Sequence, residues 1–329
     1  MQYLHCLKFR RVPSQIQVVS AFNRPLVVTV FGAFVSVVSC GGGPPANGGR
    51  ARTAFDGRGA LLYVKTQLDF GPRIPGTDGA RRCGDWIIAE MMRRADTVVV
   101  QSWTHKTASG ASLPMRNVLA RFRPRETDRV LYLTHWDTRP VSDEATDTAL
   151  RKLPVPGAND GASGVALFIA LGDVLKRTPP TVGVDLLFVD GEDYGTFNPP
   201  RDVLIGSTYF ASHLPSADYH PIFGVLWDMI GDRNLQIYEE GNSLQQAPEV
   251  VNRVWREAGD LGYDRYFVPQ YRYTVFDDHI PLLKVGLRVI DVIDFDYQGI
   301  HHTPFDTFDK VSAQALQIVG DVATGLVTQ

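Results

Sequence analysis

One stretch constrains this chain more than any other: Val184-Asp-Leu-Leu-Phe-Val-Asp-Gly-Glu-Asp193. The apolar run Leu186 to Val189 reads as a buried strand, and it stops abruptly at Asp190, Gly191, Glu192 and Asp193. Crowded carboxylates repel one another unless a metal or a proton neutralises them. In open α/β sheets the ligand crevice lies outside the carboxyl ends of the strands. The tip of this strand is therefore a candidate active site at which a cation is expected. A solvated acidic turn would read the same in isolation, so the rest of the chain decides.

The chain has 329 residues, 44% of them hydrophobic, which is ample for a sizeable core. Its net charge of -3 and the lack of a dense basic run or basic-aromatic interleaving give no nucleic-acid surface. Three cysteines, Cys6, Cys40 and Cys83, make no disulfide framework, and without a C-x-x-C any metal must be held by His and carboxylate.

Residues 1–25 carry Lys8, Arg10, Arg11 and Arg24 and no acid, and Leu26 to Ser39 is almost wholly apolar. That run is shorter than the ~20 residues a membrane-spanning helix needs, and it fits the apolar part of a secretory signal over residues 1–39. Val37-Val38-Ser39-Cys40 resembles a bacterial lipobox, which implies cleavage before Cys40 and lipidation of its thiol. The expectation is a lipid-anchored protein of a bacterial cell envelope, facing the periplasm or the exterior. An ordinary signal peptide or a retained membrane anchor is the alternative. Residues 40–54 read as a Gly/Pro-rich linker, and residues 55–329 as one catalytic domain, expected to be monomeric.

Within that body, helices are expected over Ala54 to Thr66, Gly79 to Arg94, Val165 to Leu175, Pro248 to Leu261 and Ser312 to Leu326. Strands are expected at Val98 to Thr104, Met115 to Phe122, Val130 to Thr134, Ile222 to Trp227 and Leu287 to Ile293. The second and third of these read as a hairpin-like pair around Arg125. The aromatic run Tyr263 to Tyr273 reads as packing in preference to a pocket wall. The chemistry-bearing residues recur at element ends. His135-Trp136-Asp137 closes one strand, and a His there can ligate a metal while the Asp orients it. Asp160 lies in the small-residue loop Pro156 to Gly164, as a helix N-cap or as a metal ligand. Asp228 ends a further apolar strand, and His301-His302 lies in a late loop. Alternating strands and helices imply an α/β sheet covered on both faces, with His135, Asp160, Glu192, Asp193, Asp228 and His302 converging on one edge.

His135-x-Asp137, Asn159-Asp160-Gly161, Gly191-Glu192-Asp193, Trp227-Asp228 and His302-Thr303, in that order, resemble the zinc aminopeptidases of family M28. Asp69-Phe-Gly-Pro-Arg-Ile-Pro-Gly76 and Phe276-Asp277-Asp278-His279-Ile280-Pro281 make the chain most similar to the animal-type glutaminyl-peptide cyclotransferases within it. The resemblance implies a single three-layer α/β domain, with a mixed central sheet and helices on both faces. It implies Asp160, Asp193 and His302 as ligands of one zinc, Glu192 as general acid/base, and Asp228 and Asp277 as a supporting network. His135 and Asp228 would hold a second zinc, with Asp160 bridging, in the two-metal members. Trp136, Phe197 and His301 are expected at the substrate pocket. The sequence departs from the cyclases in four places: Asp193 replaces Glu, Phe197 and His301 each stand where a Trp is usual, and Asp291 stands near a His position.

Two reactions fit. A cyclase converts the amino-terminal Gln of a peptide or protein to pyroglutamate with release of ammonia. An aminopeptidase hydrolyses the first peptide bond. A binding module on an inactive peptidase fold is a third reading, and the intact Glu192 and ligand set speak against it.

Overall fold

A computed structural model describes residues 15–19 and 53–328. Cys40 and most of the leader and linker lie outside the described residues. The short strand β1 (Gln15–Val19) falls within the stretch read as a leader and pairs antiparallel with β2 (Thr97–Lys106). Before β2 come α1 (Gly57–Leu68) and α2 (Asp78–Met92). The Asp56 side chain accepts from the Arg58 and Gly59 amides, so α1 begins three residues later than the apolar pattern suggests. Then follow β3 (Ser112–Phe122), β4 (Arg129–His135), α3 (Ala162–Arg177) and β5 (Gly183–Val189). A two-residue ribbon, β6 (Thr196–Phe197) and β7 (Pro200–Arg201), precedes α4 (Ile205–Ser212) and β8 (Phe223–Asp228). The chain closes with β9 (Ile237–Glu240), α5 (Gly241–Gln246), α6 (Pro248–Asp260), β10 (Phe267–Tyr273), α7 (His279–Lys284), β11 (Val289–Ile293) and α8 (Ala313–Thr328).

The main sheet runs β1-β2-β3-β5-β4-β8-β11. β2, β3 and β5 pair antiparallel, whereas β5, β4, β8 and β11 pair in parallel. The sheet is mixed, as expected. The hairpin expected between β3 and β4 does not form. β5 lies between them, paired to both, because its seven residues are buried throughout and an edge position would expose that apolar run.

Side-chain alternation sorts the parallel strands into two cores. Val130 and Tyr132, Leu186 and Phe188, and Val225 and Trp227 face the large core beneath α1, α2, α3, α6 and α8. Leu131 and Leu133, Leu187 and Val189, and Leu226 face a smaller core with Phe210 of α4 and Leu282 of α7. Burying each such side chain contributes about 1.5–3 kcal/mol. The result is a three-layer α/β domain. No helix among the described residues is long and apolar enough to cross a membrane. Of the aromatic run, Tyr263 and Phe267 are buried in the large core and Tyr271 is exposed.

The small residues around Asp160 have a steric cause. The start of α3 is driven against the tips of β4 and β8. A Cβ on Gly164 would lie 2.0 Å from Thr134 Oγ1 and 2.5 Å from the Trp227 carbonyl. Gly161 has φ +89°, a conformation other residues rarely adopt, and a Cβ there would meet the Asp137 carbonyl at 2.4 Å.

Candidate active site

The C-terminal tips of β4, β5 and β8 deliver His135, the Asp190–Asp193 turn and Asp228 to one edge of the sheet. Two loops bring Asp160 and His302 onto them. Asp160 does not cap α3. Its Oδ1 lies 3.1 Å from His135 Nε2, and its Oδ2 lies 3.7 Å from His302 Nε2. His135 Nε2 is also 3.0 Å from Asp228 Oδ1, and His302 Nε2 is 3.2 Å from Asp193 Oδ1. Two groups share the Asp160 carboxylate: His135, Asp160 and Asp228, and Asp160, Asp193 and His302. In each, the donor atoms lie within 4.8 Å of one another.

The scaffold behind these groups explains the surrounding motifs. Asp137 is 3.6 Å from His135 Nδ1, too far for a hydrogen bond, and its oxygens accept instead from the Glu192 and Asp193 amides at 3.0 and 3.2 Å. Asn159 donates to the Met229 carbonyl at 3.0 Å and accepts from the Gly231 amide at 2.7 Å, tying the Asp160 loop to the turn after β8. Asp306 accepts from the Asn159 and Asp160 amides and from the Tyr297 hydroxyl. The fully buried Arg73, from the Gly/Pro-rich loop before α2, donates to the Pro156 and Gly157 carbonyls at 2.5 and 2.6 Å. Met229 and His302 both hold φ +50°, unusual for residues with a side chain and characteristic of functional turns.

Electrostatics divide the groups. Burial opposes a charge on His135, but the carboxylates of Asp228, Asp137 and Asp160 outweigh it and raise the imidazole well above its ordinary range. His302 is raised in the same way, chiefly by Asp193. Asp160 is held below the usual carboxylate range because His135 and His302 more than offset its burial. Glu192 goes the other way, raised well above the ordinary glutamate range by burial and then by Asp277. Asp277 is itself raised by burial and by Asp228. Two carboxyls, Glu192 and Asp277, are thus biased towards holding a proton, beside a third, Asp160, biased towards the charged form.

These groups open into a cleft of about 440 Å³, within the range of small-ligand pockets. Glu192, Asp160, Asp228, Asp277 and His302 line it, together with Phe197, Phe276 and Phe295. Phe197 and His301 both line the cleft. Phe197 lies 6.1 Å from the His302 ring, and His301 stacks on His302 at 3.6 Å with its Nδ1 3.0 Å from Glu144. Trp136 does not reach the cleft. Its amide continues the sheet by donating to Val189, so strand alternation turns its side chain away from the face His135 uses. The indole lines a separate cavity with Met115 and Asp190, beneath the Arg116 guanidinium. Asp291 is not among the residues lining the cleft, and its carboxylate lies 3.9 Å from the buried His279.

Sequence reasoning missed Arg139, Asp143 and Glu144. All three line the cleft, and Arg139 Nη1 donates to Asp193 Oδ1 at 2.8 Å. They occupy an irregular loop without periodicity. The one available signal was their position just after the tip of β4.

The donor set suits a divalent cation of the zinc type, which takes three protein ligands at catalytic sites from His, Asp and Glu. Asp160 Oδ2 and Asp193 Oδ2 are buried, and neither has a hydrogen-bond partner. Such acceptors are costly to leave unpaired in a folded protein.

Comparison with known proteins agrees with this geometry. Residues 117–327 match the profile of peptidase family M28. A probable zinc metalloprotease of Leptosphaeria maculans is 29% identical over 268 residues, covering 75% of this chain. The chain spans only 58% of that relative's length. A glutaminyl-peptide cyclotransferase of Bos taurus is 25% identical over 290 residues, covering 77% of this chain and 78% of the relative. The crystal structure of Bacteroides thetaiotaomicron glutaminyl cyclase, bound to N-acetylhistamine, superposes with a TM-score of 0.81 at 31% identity. That match covers 85% of this chain and 99% of the other.

Proposed function

Because the chain belongs to peptidase family M28, we propose that it is a zinc-dependent glutaminyl-peptide cyclotransferase, which closes the amino-terminal Gln of peptides to pyroglutamate and releases ammonia. Asp160, Asp193 and His302 would hold one zinc. When bound there, zinc supplies Lewis-acid polarisation of the side-chain amide carbonyl and a fixed positive charge. The remaining work falls to the chain. Glu192 takes a proton from the substrate's α-amine as that nitrogen attacks the amide carbon. It returns a proton to the departing nitrogen, which leaves as ammonia. Asp277 and Asp228 line the cleft with Glu192, and burial together with Asp277 biases the Glu192 carboxyl towards holding a proton. Phe197, Phe276 and Phe295 shield the reacting end from water and favour the intramolecular amine as nucleophile.

The observation that carries the one-zinc reading is how the two donor groups differ. Asp193 Oδ2, which only the Asp160, Asp193 and His302 group contains, is buried without a hydrogen-bond partner, whereas in the other group His135 Nε2 and Asp228 Oδ1 are engaged with each other at 3.0 Å. The overlap with bacterial glutaminyl cyclase along nearly its whole length supports the same reaction. A second reading, a zinc aminopeptidase, is favoured by the convergence of His135, Asp160 and Asp228 as a second set of donors.

The two are separated by incubating the zinc-loaded protein with a Gln-initiated peptide and recording mass spectra. Loss of one ammonia without chain cleavage, faster than the enzyme-free control, is the expected result. Release of free amino-terminal residues would establish the peptidase and refute the cyclase. At its amino terminus, the same protein is proposed to be anchored to a bacterial envelope through a lipid on Cys40.

A further inference from the structure

We infer that Arg139 is a positioning residue that fixes the Asp193 carboxylate in its metal-binding pose. The inference rests on the reading of Asp160, Asp193 and His302 as the metal ligands. One guanidinium nitrogen, Nη1, donates both to Asp193 Oδ1 at 2.8 Å and to the backbone carbonyl of Asp193 at 3.2 Å. It therefore pins the main chain and the side chain of one residue together. The other end of the fork is anchored: Nε and Nη2 donate to the two oxygens of Asp143 at 2.6 and 2.7 Å. Phe197 packs against the guanidinium at 5.6 Å and lies 6.1 Å from the His302 ring, closing one side of the assembly. The Arg139 side chain is only 3% exposed. A planar fork with two fixed ends is what arginine provides and lysine does not.

Asp193 needs such a clamp because of its length. An aspartate reaches its metal with one methylene fewer than a glutamate, so the site cannot absorb an error in χ1 by adjusting a further torsion. Its Oδ1 already stands 3.2 Å from His302 Nε2, while its Oδ2 is buried without a partner. Holding the carboxylate by Oδ1, and the main chain by the Asp193 carbonyl, leaves the side chain a single orientation, with Oδ2 uncommitted.

A guanidinium on a ligand oxygen has a second physical consequence, of opposite sign. As a rival cation it would draw charge from the carboxylate and weaken metal binding. If positioning dominates, losing Arg139 lowers metal affinity, by about 10–100-fold for an outer partner of this kind. If rivalry dominates, losing it raises affinity.

The test uses the full chain with cobalt(II) and zinc, titrated against a chromophoric chelator, with the cobalt d–d absorption recorded in parallel. Arg139→Gln is expected to lose about 10–100-fold in affinity and to alter the cobalt bands, which report ligand geometry. Arg139→Lys keeps the charge, loses the fork and is expected to recover part of the affinity. Wild-type affinity with unchanged bands in Arg139→Gln, or tighter binding, overturns the inference. If Arg139→Gln does not fold, Arg139→Lys decides, and wild-type affinity with wild-type bands overturns it. Failure of the underlying reading looks different: the wild-type chain binds neither metal, or Asp193→Ala binds as tightly as wild type.

Discussion

Replacing Glu192 by Gln isolates the proton-transfer step, because little else changes. The substitution is isosteric, and the backbone amide of residue 192 keeps its 3.0 Å bond to Asp137. Glu192 belongs to none of the donor groups found among the described residues, so the metal should stay. What disappears is one carboxyl held well above its usual range by burial and by Asp277. A positioned acid or base is worth about 10²–10⁴ in rate. The proposed reaction uses this carboxyl twice, to accept a proton from the amine and to return one to ammonia, which argues for the upper end. Asp277 is a poor substitute, since its Oδ1 already accepts the Asp278 amide. A fall in kcat near 10⁴ corresponds to ~5 kcal/mol at ~1.36 kcal/mol per decade. The assay pairs kcat on a Gln-initiated peptide with zinc content after dialysis. Loss of zinc would mean that ligand and base are assigned the wrong way round. A kcat within tenfold of wild type would refute the acid/base role outright.

Three further outcomes follow from other parts of the molecule. Gly164→Ala places a methyl where the nearest atoms are 2.0 and 2.5 Å away, and should cost about 1–3 kcal/mol or more, read as a lower Tm of the metal-free protein. Asp294, buried and accepting from the Gln236 amide, is pushed up to about 7 from an ordinary 3.8, chiefly by burial. The folded protein therefore holds a proton there that the unfolded chain has released. This contribution is fully present below about pH 4 and is lost as pH rises through about 7, a few kcal/mol at most. Urea melts at pH 5 and pH 8 should differ less in Asp294→Asn than in wild type, and an unchanged difference would exclude Asp294 as a source. Cys40→Ser should move the protein from the membrane to the soluble fraction and abolish labelling by fatty acid; continued labelling would defeat the lipoprotein proposal.

Much of the site was legible because strand ends advertise themselves. An apolar run such as Leu186 to Val189 that stops in acids marks its own C-terminal tip, and Trp227-Asp228 and Thr134-His135 repeat the pattern. Their convergence required only parallel neighbours, which β5, β4, β8 and β11 are. Other features were illegible for physical reasons. Nothing in β3 or β4 says that a strand some fifty residues later will insert between them, since pairing is settled by burial in three dimensions. Trp136 is expected at the pocket, yet it adjoins His135, and adjacency along a strand places neighbours on opposite faces. Arg139 has no periodic context at all; its significance lies in the Asp193 carboxylate opposite. The short elements β9, α5 and α7 are four to six residues each and carry too little pattern to read.

The Asp137 carboxylate, which accepts from the amides of Glu192 and Asp193 together, has a bearing on how such a site can change over time. The acid/base group and a ligand hang from one splint, so a substitution that shifts the splint moves both. Their fitness effects are then entangled. A lineage cannot readily retune proton transfer through this turn without also retuning metal retention, and mutations tolerated at one position will depend on the state of the other. Variation should therefore accumulate in the cleft walls, at positions such as Phe276, Phe295 and His301, where a change of side chain alters what is admitted and leaves the splint undisturbed.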